Sequence, residues 1–370
     1  GTAGTGGVAG SAGDAGVDAS LDGGGGAPAD AQADAPPGYD ASACTAPPPD
    51  AGCAMGEYWH ACKQSCVSCY DVSLLVFGDV TKVTSLSDSG SGTNQRFPRL
   101  AADGSSTRVV LTQGVPPTSP THTDFLTGVQ QGADFASLVT DLGNFVNYPG
   151  ENESGPLLVP AGAVEPVSGT AAASLFLLMD SDRNGKQQIM STPLFQGAGS
   201  PSVLAAPVNA GGNDYHVAYA HQATPARLFW SSDRAQPGLY TWAVTGGQAQ
   251  KVAVTLPGGC AASDEDLEPW VTPDGTLLLF SSPRRVGPNC NVPLNGGKRS
   301  LYFAYLDPAT GLPLADAVEL ASVRTALEQS LGKTDFALGT PSLDPTACTL
   351  YFSSDGDPDD ADWDVYRSPR

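Results

Sequence analysis

Three segments of this 370-residue chain are written to one plan: FPRLAADGSSTRVVLTQ from Phe97, EPWVTPDGTLLLFSSPRR from Glu268, and TPSLDPTACTLYFSSDG from Thr340. Each has a short strand near a Pro, a turn, a second apolar strand, and small polar residues. Weaker copies begin at Glu165 and Tyr215, so second strands start near Arg108, Ser174, Arg227, Thr276 and Thr349. Asp103-Gly104 and Asp274-Gly275 are hairpin signals, because Gly accepts positive φ. A third strand follows in Leu239–Val244, Leu301–Leu306 and Val365–Arg367, then a polar fourth in Ala249–Leu256 and Ala317–Val323. A four-stranded sheet is unstable alone; packing several radially buries both faces of each.

From Val72 onward the pattern is β throughout, with one short helix expected over Val323–Leu331. The segment LLVFGDVTKVTSL (Leu74–Leu86) precedes the first repeat, and the last repeat stops after its third strand. The orphan segment therefore supplies the missing fourth strand and closes the ring. The expected fold is an all-β, five-bladed β-propeller of four-stranded blades. Six blades is the alternative, since the repeats at Glu165 and Tyr215 lack Pro-Asp-Gly.

The run PWVTPDGTLLLFSSPRR, with LYFAYLD after it, resembles the TolB-type propeller repeat, and LFLLMDSDRNGKQQIMST resembles its later half. The resemblance spans residues 72–370 and implies a fold without implying a reaction.

Residues 1–43 form an acidic Gly/Ala/Asp-rich tether, which cannot bury enough apolar surface to order itself. It resembles the spacer of bacterial surface lipoproteins, which raises the expectation of an extracytoplasmic protein with a lipid anchor upstream of Gly1. Residues 44–71 are a Cys-rich segment holding Cys44, Cys53, Cys62, Cys66 and Cys69; Cys260, Cys290 and Cys348 make eight. An even count in an exported chain reads as four disulfides. Ring closure would give Cys348 a partner among Cys53, Cys62, Cys66 and Cys69, and leave Cys260–Cys290 to staple a loop. Zinc at His60, Cys62, Cys66 and Cys69 is disfavoured by the compressed spacing.

Eighteen Lys and Arg against 39 Asp and Glu give a net charge of −21. Phosphate binding needs clustered cations, so nucleic acid is excluded as a partner. No apolar run is long enough to span a membrane. Ligand contacts are expected where innermost strands open, at Phe97, Glu165, Asp214, Tyr215, His216 and Glu268. Asp180-Ser-Asp182-Arg-Asn184-Gly185 matches the start of a calcium loop but has Ser191 at its twelfth position; Asp355, Asp357 and Asp359 form a second acidic run. Calcium suits such oxygen ligands and is the one cofactor these residues suggest. Asn152-Glu153-Ser154 is a glycosylation sequon.

With no G-x-S-x-G and only four His, a Ser-His-Asp triad lacks support. The expected function is a secreted or surface-tethered, non-catalytic propeller binding a protein, glycan or small ligand at the channel mouth. The alternative is a glycoside hydrolase or lyase using Glu165, Asp214 and Glu268 as channel carboxylates. A structural envelope component is the third reading.

Overall fold

The computed structural model describes residues 57–60, 65–68, 75, 77–87, 94–103, 106–114, 123–132, 134–139, 142, 146–194, 200–258, 265–284, 298–356 and 362–370. All fall in the unit Thr45–Arg370. A hairpin of β1 (Glu57–His60) and β2 (Ser65–Ser68) comes first. The short β3 (Thr81–Lys82) precedes blade 1, which is β4 (Asn94–Asp103), β5 (Ser106–Gly114), β6 (Thr123–Gln131) and β7 (Asp134–Val139). Blade 2 is β8 (Glu153–Val159), β9 (Phe176–Ser181), β10 (Gln188–Pro193) and β11 (Ser202–Val203). Blade 3 is β12 (Asp214–Ala220), β13 (Arg227–Ser232), β14 (Gly238–Ala243) and β15 (Gln250–Lys251). Blade 4 has β16 (Leu267–Val271), β17 (Leu277–Ser282) and β18 (Ser300–Asp307), whose outer edge is shared by β19 (Leu312–Pro313) and β20 (Val318–Glu319).

After helix α1 (Ala321–Leu331), blade 5 is β21 (Leu338–Leu343), β22 (Thr349–Ser354) and β23 (Asp364–Pro369), with β3 as its fourth strand. Tyr366 pairs with Lys82 and Arg367 with Thr81. The ring has five blades, not the alternative six, and is closed from the N-terminal side as expected. Innermost strands neighbour one another in the closed order β4, β8, β12, β16, β21 and back to β4.

The apolar runs are continuous because each central strand serves two cores. Leu277 and Leu279 of β17 pack with Leu338 and Phe352 of blade 5, whereas Leu278 and Phe280 pack with Ala218 and Phe229 of blade 3. Successive strand side chains point to opposite faces, and here both faces are covered. A fifth core joins Val109 and Leu111 of blade 1 to Tyr351 of blade 5 and to Val83 and Leu86, which follow β3. Helix α1 buries Val323 and Leu327 beside blades 4 and 5 and ends at Gly332 (φ 68°), whose N–H bonds Glu328 O.

Blade 2 departs from the expected plan. Its innermost strand is β8, at the residues read as a glycosylation sequon, and Glu165 lies in the connection from β8 to β9. The Asn152 amide donates to Asp182 Oδ2 at 2.8 Å.

Candidate functional site

Each innermost strand breaks register once, between Arg96 and Arg99, Ser154 and Leu157, Tyr215 and Ala218, Leu267 and Trp270, and Gly339 and Ser342. The bulges put one residue of every blade in the left-handed region: Phe97 (φ 56°), Gly155 (55°), His216 (55°), Glu268 (59°) and Thr340 (50°). That conformation costs a non-glycine residue about 1–2 kcal/mol, so four of the five positions are strained. At Gly155 the bareness is required, because a Cβ would lie 2.5 Å from Asp180 Oδ2 and 2.9 Å from His216 Cα.

The bulges also turn backbone donors toward the preceding blade. His216 N donates to Asp180 Oδ2 (2.8 Å), Glu268 N to Ser231 Oγ (3.1 Å), and Thr340 N to Glu268 Oε2 (2.9 Å). These residues stand near the N-terminal ends of the five innermost strands and mark that end, or mouth, of the central channel.

Glu268 is buried, with both oxygens engaged. Arg96 Nη2 donates to Oε1 at 2.5 Å, and Ser281 Oγ joins Thr340 N on Oε2 at 2.6 Å. Burial opposes its ionisation, but Arg96, Arg299 and the Ser281 hydroxyl outweigh that, and Glu268 is held down at about 2. Asp180 has the opposite outcome. Burial lifts it to about 6 despite donors at Ser154 Oγ (2.6 Å), Gln187 Nε2 (2.6 Å) and His216 N.

His216 lies between the two carboxylates and is pushed down to about 3, chiefly by burial, so its imidazole is neutral. Its Nδ1 is buried with no hydrogen-bond partner among the described residues. The ring lies 4.5 Å from Phe97 and 4.8 Å from Tyr215, centroid to centroid. Arg96 is flanked by the Trp363 ring at 4.3 Å and the Phe97 ring at 5.3 Å. Arg99, wholly buried and lowered to about 9 by desolvation, reaches from β4 to the carbonyls of Pro269 and Pro341.

Phe97, Tyr215, His216 and Glu268 are thus brought together, whereas Asp214 and Glu165 are not part of this mouth. Asp214 is buried under Trp230 Nε1 (2.9 Å) and Arg234 Nη2 (2.5 Å). The same brace recurs as Glu153–Arg183 (3.0 Å) and Asp266–Arg284 (2.6 Å). In all three the Arg follows a Ser-x step and also bonds a carbonyl of the segment entering the blade, at Val146, Val208 or Val254. The Ser-x-Arg motif is therefore a clamp on the incoming chain, which accounts for Asp214. Glu165 accepts from Ser191 Oγ (2.7 Å) and Ser168 N (2.8 Å) and lines a separate cavity of about 310 Å³ on blade 2.

The residues of the calcium expectation have other partners where they can be followed. Asp180 turns to the mouth, Asp182 accepts from Asn152 N (2.8 Å), and Asn184 donates to Gln188 (3.0 Å). Asp355 pairs with Lys298 (2.8 Å) and accepts from Ala337 N. Asp357 and Asp359 lie outside the described residues, among which no group of three or more His, Cys, Asp or Glu is placed to hold a metal ion. Cys66 and Cys348 are both disulfide-bonded; Cys44, Cys53, Cys62, Cys69, Cys260 and Cys290 lie outside the described residues. Among those residues no helix is long and apolar enough to cross a membrane.

Sequence reasoning missed Arg96, Arg99, Arg299 and Trp363, and read Asp180 only as a metal ligand. One signal was available: Asp180 occupies the repeat position held by Ser231, Ser281 and Ser353 in other blades. Farther along the same strands the channel opens into a second cavity of about 190 Å³, lined mainly by apolar groups such as Leu100, Val159, Trp270 and Leu343, with His221 and Gln222.

No family model and no curated protein matches the chain. Similar solved structures include an α-L-arabinofuranosidase from Podospora anserina in complex with cellotriose, at 12% identity and TM-score 0.47, covering 79% of this chain and 96% of that one. An arabinanase from Bacillus subtilis matches at 12% identity and TM-score 0.45, covering 75% and 94%. A glycosyl hydrolase from Bacteroides ovatus matches at 9% and 0.46, covering 79% and 92%. These likenesses concern the propeller architecture. They correct the TolB-type expectation, since the matching propellers are glycoside hydrolases and not TolB-type proteins, and they lend the expected non-catalytic binding protein no support.

Proposed function

We propose that this chain is a glycan-acting hydrolase working at the mouth formed by Phe97, Gly155, His216, Glu268 and Thr340. The observation that carries the reading is a pair of buried carboxylates in opposed environments on either side of His216. Glycosidic cleavage needs one carboxyl that keeps its proton and one that stays ionised. Environments that push two carboxyls apart assign those roles. Asp180, raised to about 6, is the proton donor; Glu268, held at about 2, is the carboxylate that opposes positive charge developing on the sugar. The Tyr215 and Trp363 rings, both partly exposed, offer flat apolar faces of the kind sugar rings stack on. The unpartnered His216 Nδ1 is a site for a sugar hydroxyl. Disulfide bonding at Cys66 and Cys348 supports work in an oxidising compartment outside the cytoplasm.

The test is initial-rate measurement on a panel of aryl glycosides and polysaccharides. Turnover by the natural chain should fall at least ~100-fold in Asp180→Asn and in Glu268→Gln, and persist in Glu165→Gln. A folded natural chain that turns over nothing, or an undiminished Glu268→Gln, removes the reading.

A further inference from the structure

The mouth concentrates cations in a chain that has few. Arg96 and Arg99 both come from β4, and Arg299 stands just before β18. Among these, only Arg96 contacts a carboxylate at the mouth, that of Glu268. Among the described residues, the hydrogen bonds of Arg99 run only to backbone carbonyls. Arg299 bonds Ser281 Oγ (3.0 Å), Ser281 O (2.9 Å) and Glu265 O (2.6 Å). Asp266, which also faces Arg299, is already held by Arg284, and Glu265 is exposed. Both oxygens of Glu268 are already engaged.

Donor capacity is left over as well. Nε of Arg96 and Nε of Arg99 are both buried without a partner among the described residues. Arg96 nevertheless keeps 32% of its side chain exposed, with its guanidinium held against the Trp363 and Phe97 rings. A guanidinium fixed by stacking and partly desolvated loses little freedom on binding and suits a planar carboxylate.

We propose that this mouth selects an anionic sugar, a uronic acid unit whose carboxylate is met by Arg96, over neutral sugars. The inference rests on the glycan reading above and narrows its substrate class. Sulfated sugars share the chemistry of a fixed negative charge, but a tetrahedral sulfate uses the planar fork less well than a carboxylate.

Isothermal titration of the full chain with oligogalacturonate, a sulfated oligosaccharide and a neutral oligosaccharide of equal length decides it, alongside cleavage of the same three. Expected is uronate affinity at least ~10-fold above the neutral sugar. That preference should be lost in Arg96→Gln and weakened at high salt. Should Arg96→Gln fail to fold, Trp363→Ala leaves the Arg96–Glu268 pair in place and should weaken uronate binding at least ~3-fold. Equal or better binding of the neutral sugar overturns the inference and leaves the hydrolase reading standing. Preference for the sulfated sugar overturns the uronate assignment. Uronate binding without cleavage supports the inference and removes the hydrolase reading; no binding and no cleavage of any of the three removes both.

Discussion

The two ends of the central channel are built from the same five strands and have opposite chemistry. At the bulged end, strained backbone carries Glu268 and His216 beside Arg96, and hydrogen bonds cross from blade to blade. Farther along, past the bulges, the strands are regular and line an apolar cavity of about 190 Å³. Strain and charge thus sit together on one side, and ordinary packing sits on the other. A propeller can concentrate reactive groups at one mouth because its remaining layers hold the ring closed without them.

The contrast can be broken most severely at Glu268. Glu268→Ala leaves Arg96 unpaired and takes the nearest carboxylate from Arg99, so stability should fall by about 3–5 kcal/mol. Urea unfolding followed by tryptophan fluorescence measures it, and a loss below ~1 kcal/mol would mean the charged mouth is not what braces the blades.

Next in size is a pH effect confined to Asp180. Its folded value of about 6 lies above the ordinary carboxylate value, near 3.9 in an unfolded chain. The folded state therefore binds the extra proton, and the stabilisation is full below about pH 4 and lost as pH rises through about 6. Relative to Asp180→Asn, the natural chain should lose about 2 kcal/mol of stability between pH 4 and pH 7. Glu153, raised to about 7, and His216, lowered to about 3, act in both proteins and cancel in the difference. Parallel pH profiles for the two chains would contradict the assignment.

The smallest change sharpens the view of the other end. Tyr219 lines the apolar cavity and donates to Val164 O at 2.6 Å. Tyr219→Phe removes that single bond and should cost about 1 kcal/mol, with glycan turnover untouched. A larger loss by thermal unfolding would show the apolar end to be as tightly coupled as the charged one.

Much of the architecture was legible because it is repeated. The expected second strands at Arg108, Arg227, Thr276 and Thr349 begin within a residue or two of β5, β13, β17 and β22, and the orphan segment before the first repeat contains β3. Blade 2 was misread because the run into β8, Asn152-Glu153-Ser154-Gly155-Pro156, has the composition of a turn. Its Gly155 is there to fill the bulge that Phe97, His216, Glu268 and Thr340 fill elsewhere. The acids were harder to sort. Asp214 and Glu268 both stand near the start of an innermost strand, and only their partners, Arg234 with Trp230 for one and Arg96 with Thr340 for the other, tell clamp from mouth.

By itself the sequence determined the periodicity: most of the runs that are strands, a ring of five blades with six as the alternative, and closure of the ring from the N-terminal side. Those follow from local patterns of apolar residues and turns, which survive in one dimension. Tertiary structure alone decided which charges meet. Arg96, Glu268, Trp363 and Asp180 come from four blades and are far apart along the chain, and a carboxyl's protonation depends on its depth and its neighbours. The same fold that made the repeat readable therefore hid the site, because a ring gathers its centre from every blade at once.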